Sequence, residues 1–247
     1  MTPLPPPPPA LLHDASLFLD FDGTLVELAA TPTAVVVDSA LTDLMAALDS
    51  ALGGRLAIVS GRSVEHIRGY FADLAIPVGG SHGVELSWPD GRTTTPPASA
   101  ALAALAARVE RFETDHPGVL IETKPFGFAF HYRQAPEAEA ACHAIAEALA
   151  READLHLQPG KMMIEVRLSG ADKGTAIAAL MQDPKMAGTR PIFIGDDLTD
   201  EPGFVAAARL GGIGILVGPE RPTAATYGLA GVTETLAWLK SAIGGTG

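Results

Sequence analysis

The segment Ser16-Leu17-Phe18-Leu19-Asp20-Phe21-Asp22-Gly23-Thr24 decides how this chain folds. Its apolar run over 16–20 is short and has polar residues on both sides, which predicts a buried strand. The strand runs straight into two carboxylates one residue apart, and Gly23 lets the backbone approach a ligand closely. In a parallel sheet, the loops at the carboxyl ends of the strands are where ligands bind. A lone Asp-x-Asp at a strand end is also a common Asx-turn, so the rest of the chain must decide between the two.

Outward from that segment, the same unit repeats. Residues 38–52 carry apolar side chains at helical spacing, and Gly53-Gly54 would end that helix. Arg55-Leu56-Ala57-Ile58-Val59-Ser60 reads as a second buried strand, with a helix starting near Ser63. Residues 76–80 suggest a third strand. Far downstream, a helix begins at Lys173, followed by strands over 191–194 and 212–217, and Trp238 lies in a final helix. Strand–helix repeats of this kind predict a parallel sheet covered on both faces.

The pattern breaks between the two halves. Residues 85–95 read as a hairpin around Pro89-Asp90-Gly91. An Ala-rich helix over 98–115, strands over 119–124 and 127–133, a helix over 136–152 and strands over 154–158 and 161–168 follow. That order predicts a small antiparallel sheet with two helices. The expected organisation is therefore a Pro-rich tail, 1–10, read as disordered; a core, 11–94 with 171–247; and an inserted module, 95–170. The fold class is α/β, a parallel Rossmann-like core carrying an inserted α/β module with a mostly antiparallel sheet.

Composition narrows the partners. A chain of 247 residues with a 47% hydrophobic fraction is globular. Its net charge of −12 opposes nucleic-acid binding, whose affinity comes from Lys and Arg meeting phosphates. It also gives no support to docking on an anionic membrane. The single Cys142 cannot form an internal disulfide, which fits a reducing cytoplasm. No apolar run is long enough to span a bilayer, and nothing in the sequence demands more than a monomer.

Two acidic clusters at two strand tips carry the chemistry. Gly195-Asp196-Asp197-Leu198-Thr199-Asp200 leaves the strand over 191–194 as Asp20 and Asp22 leave the first. Like charges ~4 Å apart repel by about 4 kcal/mol at an effective dielectric near 20. A hard cation bound by oxygen ligands, most simply Mg²⁺, removes the conflict. Ser60-Gly61-Arg62 offers a hydroxyl and backbone N–H groups at a helix start, suited to an anion. Lys173 places an ammonium at a helix N-terminus, where the dipole disfavours it unless an anion lies nearby. Alone, Lys173 would be a solvated surface lysine; its meaning comes from the set.

In order and content, Asp20-Phe21-Asp22-Gly23-Thr24, Ser60, Lys173 and Gly195-Asp196-Asp197 resemble the four motifs of haloacid dehalogenase-like phosphohydrolases. The insert resembles the α/β cap of one branch of that superfamily. The resemblance implies that Asp20 attacks phosphorus and that Asp22 serves as general acid, then base. It implies Mg²⁺ on Asp20, Asp196 and the backbone carbonyl of Asp22, with Ser60 and Lys173 on the phosphoryl oxygens. Asp197 and Asp200 would supply either a ligand through water or a carboxylate orienting Lys173. Gly23, Thr24, Gly61 and Arg62 complete the phosphate loops.

Substrate choice should lie in the insert. Glu122 with Lys124, and Lys161 with Glu165, fall on one face of period-two strands. A solvated face with cross-strand ion pairs would give the same spacing. These segments, with His131, Arg133, Gly80-Ser81-His82-Gly83-Val84-Glu85 and the Gly-Asp-Asp-x-Thr-Asp-Glu form of the last motif, resemble trehalose-6-phosphate phosphatases. That likeness implies that Glu122, Lys124, His131, Arg133, Lys161 and Glu165 bind glucose hydroxyls, with His82 also at the substrate. Enzymes acting on sucrose 6-phosphate or mannosyl-3-phosphoglycerate remain alternatives. So does a catalytically silent phosphosugar-binding module, which the presence of both Asp20 and Asp22 opposes.

Overall fold

In a computed structural model, which describes residues 3–29, 34–97, 99–153, 155–160 and 162–244, the apolar run around Leu17 is strand β1, Ala15–Leu19, buried at all five positions. Helix α1 (Ser39–Ala51) starts where the Asp38 side chain accepts a hydrogen bond from the Leu41 N–H. Strand β2 (Leu56–Val59) leads into α2 (Val64–Tyr70), capped by Ser63. Strands β3 (Val78–Gly80), β4 (Glu85–Ser87) and β5 (Thr93–Thr94) follow. Next come α3 (Ala100–Asp115), β6 (Leu120–Lys124), β7 (Gly127–His131), α4 (Glu139–Ala153), β8 (Leu155–Gly160) and β9 (Met163–Leu168). The chain ends with α5 (Lys173–Leu180), β10 (Arg190–Gly195), α6 (Glu201–Arg209), β11 (Ile213–Val217), β12 (Tyr227–Leu229) and α7 (Val232–Gly244).

The residues form two compact units, Thr95–Ala171 and the chain on either side of it. The larger unit holds a sheet in the order β12-β11-β10-β1-β2-β3-β4-β5. Its first six strands run parallel, and β4 and β5 extend it as an antiparallel hairpin. Side chains alternate between two buried layers. Leu17, Leu19, Ile58 and Ile194 pack with Leu48 of α1 and Leu239 of α7. Phe18, Val59 and Phe193 pack with Ile177 of α5 and Phe204 of α6. Register then sets the site: Leu19 pairs with both Ile194 and Ile58, so the tips of β10, β1 and β2 end level.

The smaller unit is an antiparallel sheet, β6-β7-β9-β8, with α3 and α4. One sheet face, including Phe128, Phe130, Ile164 and Val166, joins Leu105, Phe112, Cys142 and Leu149 in its own core. The α/β class, the parallel core sheet and the separate antiparallel sheet are as the sequence predicts. Helix α6 and strand β12 are additions to that reading.

The Pro-rich tail departs from it. Instead of lying disordered, the described part from Pro3 onward runs along the larger unit. Pro7 O accepts from Trp238 Nε1 (2.7 Å, buried), and Pro5 O accepts from the N–H of Gly228 in edge strand β12 (3.1 Å). Proline cannot donate, but its carbonyl is a full acceptor, and composition alone gives no weight to that.

Candidate active site

At the level tips of β1 and β10, three carboxylates and one ammonium meet. Carboxylate oxygens of Asp20, Asp196 and Asp200 lie within 4.8 Å of one another. Lys173, at the start of α5 and 2% exposed, donates to Asp200 Oδ1 at 2.6 Å and forms an ion pair with Asp20 Oδ1 at 2.9 Å. Asp200 Oδ2 accepts the backbone N–H of Asp197 (2.9 Å), which fixes the motif loop beneath it. Asp172 caps α5 through a reciprocal pair with Thr175, orienting the helix start that carries Lys173.

Burial governs the electrostatics. It pushes the Asp20 carboxyl well above the usual carboxylate range; Lys173 opposes the shift, while Asp200 and Asp196 reinforce it. Burial alone would lower the Lys173 ammonium, but Asp20 and Asp200 outweigh it and hold the group above its ordinary value. Clustered carboxylates offering hard oxygen donors suit a divalent cation such as Mg²⁺. Gly23 makes the cluster possible: at φ +77°, a Cβ there would lie 2.2 Å from Asp196 Oδ2.

The remaining phosphate-loop residues gather on the same side. Ser60, buried at the tip of β2, accepts the Arg62 N–H at its Oγ (3.1 Å) and keeps its own hydroxyl proton to donate. Thr24 Oγ1 is fully buried, with no hydrogen-bond partner among the described residues. Arg62, expected on the phosphate, instead grips Asp22 with both arms of its fork, Nε to Oδ2 at 2.7 Å and Nη2 to Oδ1 at 2.8 Å. Its guanidinium lies over the rings of Phe21 and Tyr70. The Asp22 carboxylate is therefore turned to Arg62 rather than to the acidic cluster. Asp197 is placed differently from its expected metal role as well: its carboxylate accepts the Leu198 N–H. Asp200 takes the position among the carboxylates. The signal was available, since Asp200 lies three residues after Asp197, at the spacing of a reciprocal cap.

In the smaller unit, the sheet face opposite the helices is polar. Strand register puts Glu122, Ala129, Glu165 and Gln158 in one row, and Lys124, Gly127, Arg167 and His156 in the next. Lys124 Nζ meets Glu165 Oε2 at 2.6 Å, with Glu165 buried and Lys124 half-buried. Glu122 lies 3.4 Å from His131 Nε2. Burial pushes the Glu122 carboxyl upward, yet His131 and Lys124 hold it below its ordinary value. Arg133 is exposed just after β7, and Lys161 lies outside the described residues. Arg167, which the sequence reading passed over, is buried and donates to Ala171 O at 2.7 Å. Its spacing of two from Glu165 marks it as a member of this face.

Residues 18–233 match the family model described as Trehalose-phosphatase. The chain is 40% identical to a probable trehalose-phosphate phosphatase of Sinorhizobium fredii, over 94% of this chain and 88% of that protein. It is 36% identical, over the same shares, to the trehalose-6-phosphate phosphatase of Escherichia coli. Its fold matches the C-terminal domain of the Candida albicans trehalose-6-phosphate phosphatase with a TM-score of 0.84, over 98% of both chains at 23% identity. No helix among the described residues is long and apolar enough to cross a membrane. The chain belongs to the trehalose-phosphatase family of phosphoric monoester hydrolases.

Proposed function

We propose that this protein hydrolyses trehalose 6-phosphate to trehalose and inorganic phosphate through an aspartyl-phosphate intermediate, with Mg²⁺ as cofactor. The observation that carries this reading is the buried Asp20–Lys173–Asp200 chain beside Asp196 at the tips of β1 and β10. An Asp20 carboxylate oxygen attacks phosphorus, and the bond from phosphorus to the sugar oxygen breaks. The departing oxygen takes a proton from Asp22, which leaves the Arg62 fork and turns toward Asp20 to deliver it. Asp22 then takes a proton from water; the hydroxide oxygen bonds to phosphorus and the Asp20–phosphorus bond breaks. Phosphate leaves and both aspartates are restored.

Lys173 and the Ser60 hydroxyl hold the phosphoryl oxygens. Asp20, Asp196 and Asp200 would hold Mg²⁺, which supplies positive charge against the transferring group. The polar sheet face of the smaller unit, through Glu122, Lys124, His131 and Glu165, reads sugar hydroxyls, and His82 also contacts substrate. The buried, unpaired Cys142 suits a reducing compartment, and we place the reaction in the cytoplasm.

The test is phosphate release from trehalose 6-phosphate, glucose 6-phosphate and sucrose 6-phosphate. Trehalose 6-phosphate should be turned over fastest, chelation should stop the reaction and Mg²⁺ should restore it. Asp20→Asn should lower turnover by roughly a thousandfold or more with the fold intact. Activity within about tenfold of the wild type in that variant would remove Asp20 as nucleophile. Equal rates on glucose 6-phosphate would defeat the disaccharide reading.

A further inference from the structure

After β3, the backbone enters a conformation that side-chain-bearing residues avoid. Ser81 has φ +50° and His82 φ +56°, and Gly83 follows at φ +93°. Two consecutive non-glycine residues in the left-handed region persist only where neighbours over-determine them. Four hydrogen bonds do so here. The Ser81 N–H donates to Arg62 O (2.8 Å) and the His82 N–H to Ser60 O (2.9 Å). Ser81 Oγ donates to Glu85 Oε1 (2.7 Å), and the Val84 N–H reaches back to Ser81 O (3.3 Å).

Glu85 Oε1 takes a second bond, from the N–H of Val64 in the first turn of α2 (3.0 Å). One carboxylate oxygen thus ties the strained turn to the helix that follows Ser60-Gly61-Arg62. The result is a placed imidazole: a Cβ at residue 61 would lie 2.6 Å from both Cε1 and Nε2 of His82. The ring is laid directly on the loop that presents Ser60.

We propose that Glu85 is a positioning residue for the hydrolysis, acting through the Ser81 turn to hold His82 against the Ser60-Gly61-Arg62 loop. This rests on the phosphatase reading above. Glu85 touches no substrate. Its carboxylate offsets the backbone strain that puts His82 in place, and an amide oxygen at the same position can accept both bonds, each weaker for want of the charge.

Steady-state kinetics on trehalose 6-phosphate and backbone hydrogen exchange together test the proposal. Glu85→Ala should lower kcat/KM about tenfold to a hundredfold, as expected when two bonded donors lose their acceptor. Glu85→Gln should stay within about threefold of the wild type. In a His82→Ala background, Glu85→Ala should add far less than it costs alone, because both changes remove one placed group. Exchange at the Val64, Ser81 and His82 amides should accelerate in Glu85→Ala and not in Glu85→Gln.

Full additivity of the two substitutions would overturn the proposal, as would an equal loss in Glu85→Gln. Unchanged exchange at those three amides in Glu85→Ala would do the same. Should Glu85→Ala fail to fold, Ser81→Ala removes a single bond and carries the test, with a several-fold loss and faster His82 exchange expected; wild-type values for both would refute the proposal. Exchange needs no substrate, so wild type inactive on trehalose 6-phosphate would count against the reaction, not against the Glu85 geometry.

Discussion

The larger unit and the smaller one each gather charged residues, and they do so in opposite ways. In the larger unit, Asp20, Lys173 and Asp200 are at most 4% exposed; Asp20 and Asp200 follow β1 and β10, and Lys173 opens α5. In the smaller unit, the charges lie in rows on a flat sheet face, from buried Glu165 out to Glu122 and His131, whose side chains are 26% and 23% exposed. Desolvated charges interact strongly and resist movement, so the first arrangement suits a reacting centre. Half-wet groups with adjustable partners suit the many hydroxyls of a sugar.

Replacing Lys173 by Met should have the largest effect and strains that comparison most. It leaves Asp20 and Asp200 buried without their cation, a loss of about 3–5 kcal/mol in stability when one partner of a buried pair is removed. Urea unfolding in chelator measures it, and activity should fall below detection in parallel. If this variant unfolds at the same urea concentration as Glu122→Ala, the distinction between the units fails.

Glu165→Ala comes next. It should cost roughly tenfold to a hundredfold in kcat/KM on trehalose 6-phosphate and little on a small aryl phosphate. Equal losses on both substrates would make the Lys124–Glu165 pair part of the fold rather than of recognition.

The smallest effect concerns acid. Glu122 has a carboxyl held below its ordinary value of 4.5, so its contribution to stability is present above that pH. It is lost as pH falls through the lowered folded value. Glu122→Gln should therefore flatten a small part of the acid slope of unfolding and leave neutral stability nearly unchanged. A slope identical to the wild type would mean that the His131 contact has no energetic weight.

How much the sequence tells also divides between the units. Asp20, Ser60, Lys173 and Asp196 are legible because each sits in a contiguous motif at a strand tip or a helix start, and contiguity survives in one dimension. Asp22 with Arg62 is not, since that pair spans 40 residues and depends on the level ends of β1 and β2. In the smaller unit, alternation shows that Glu122, Lys124 and Glu165 share a face. Which of them meet is a matter of register across β6, β7 and β9, although its spacing from Glu165 already puts Arg167 on their face. The Pro-rich tail misleads because its composition lacks donors, while its role rests on acceptors. Short β12 carries too few residues for any periodicity to show.

The hydrogen bond from Trp238 to Pro7 has a meaning for synthesis on the ribosome. It joins groups 231 residues apart, as the Ser16–Thr189 hydroxyl contact joins groups 173 apart. Strand β1 emerges early, yet its partner β10 follows the whole of the smaller unit. The smaller unit closes its sheet within its own stretch of chain and is able to fold during translation. The larger one waits, its first apolar strand lacking one neighbour, until β10 has been made. Exposure to chaperones and to aggregation therefore falls on the larger unit, the one that holds Asp20.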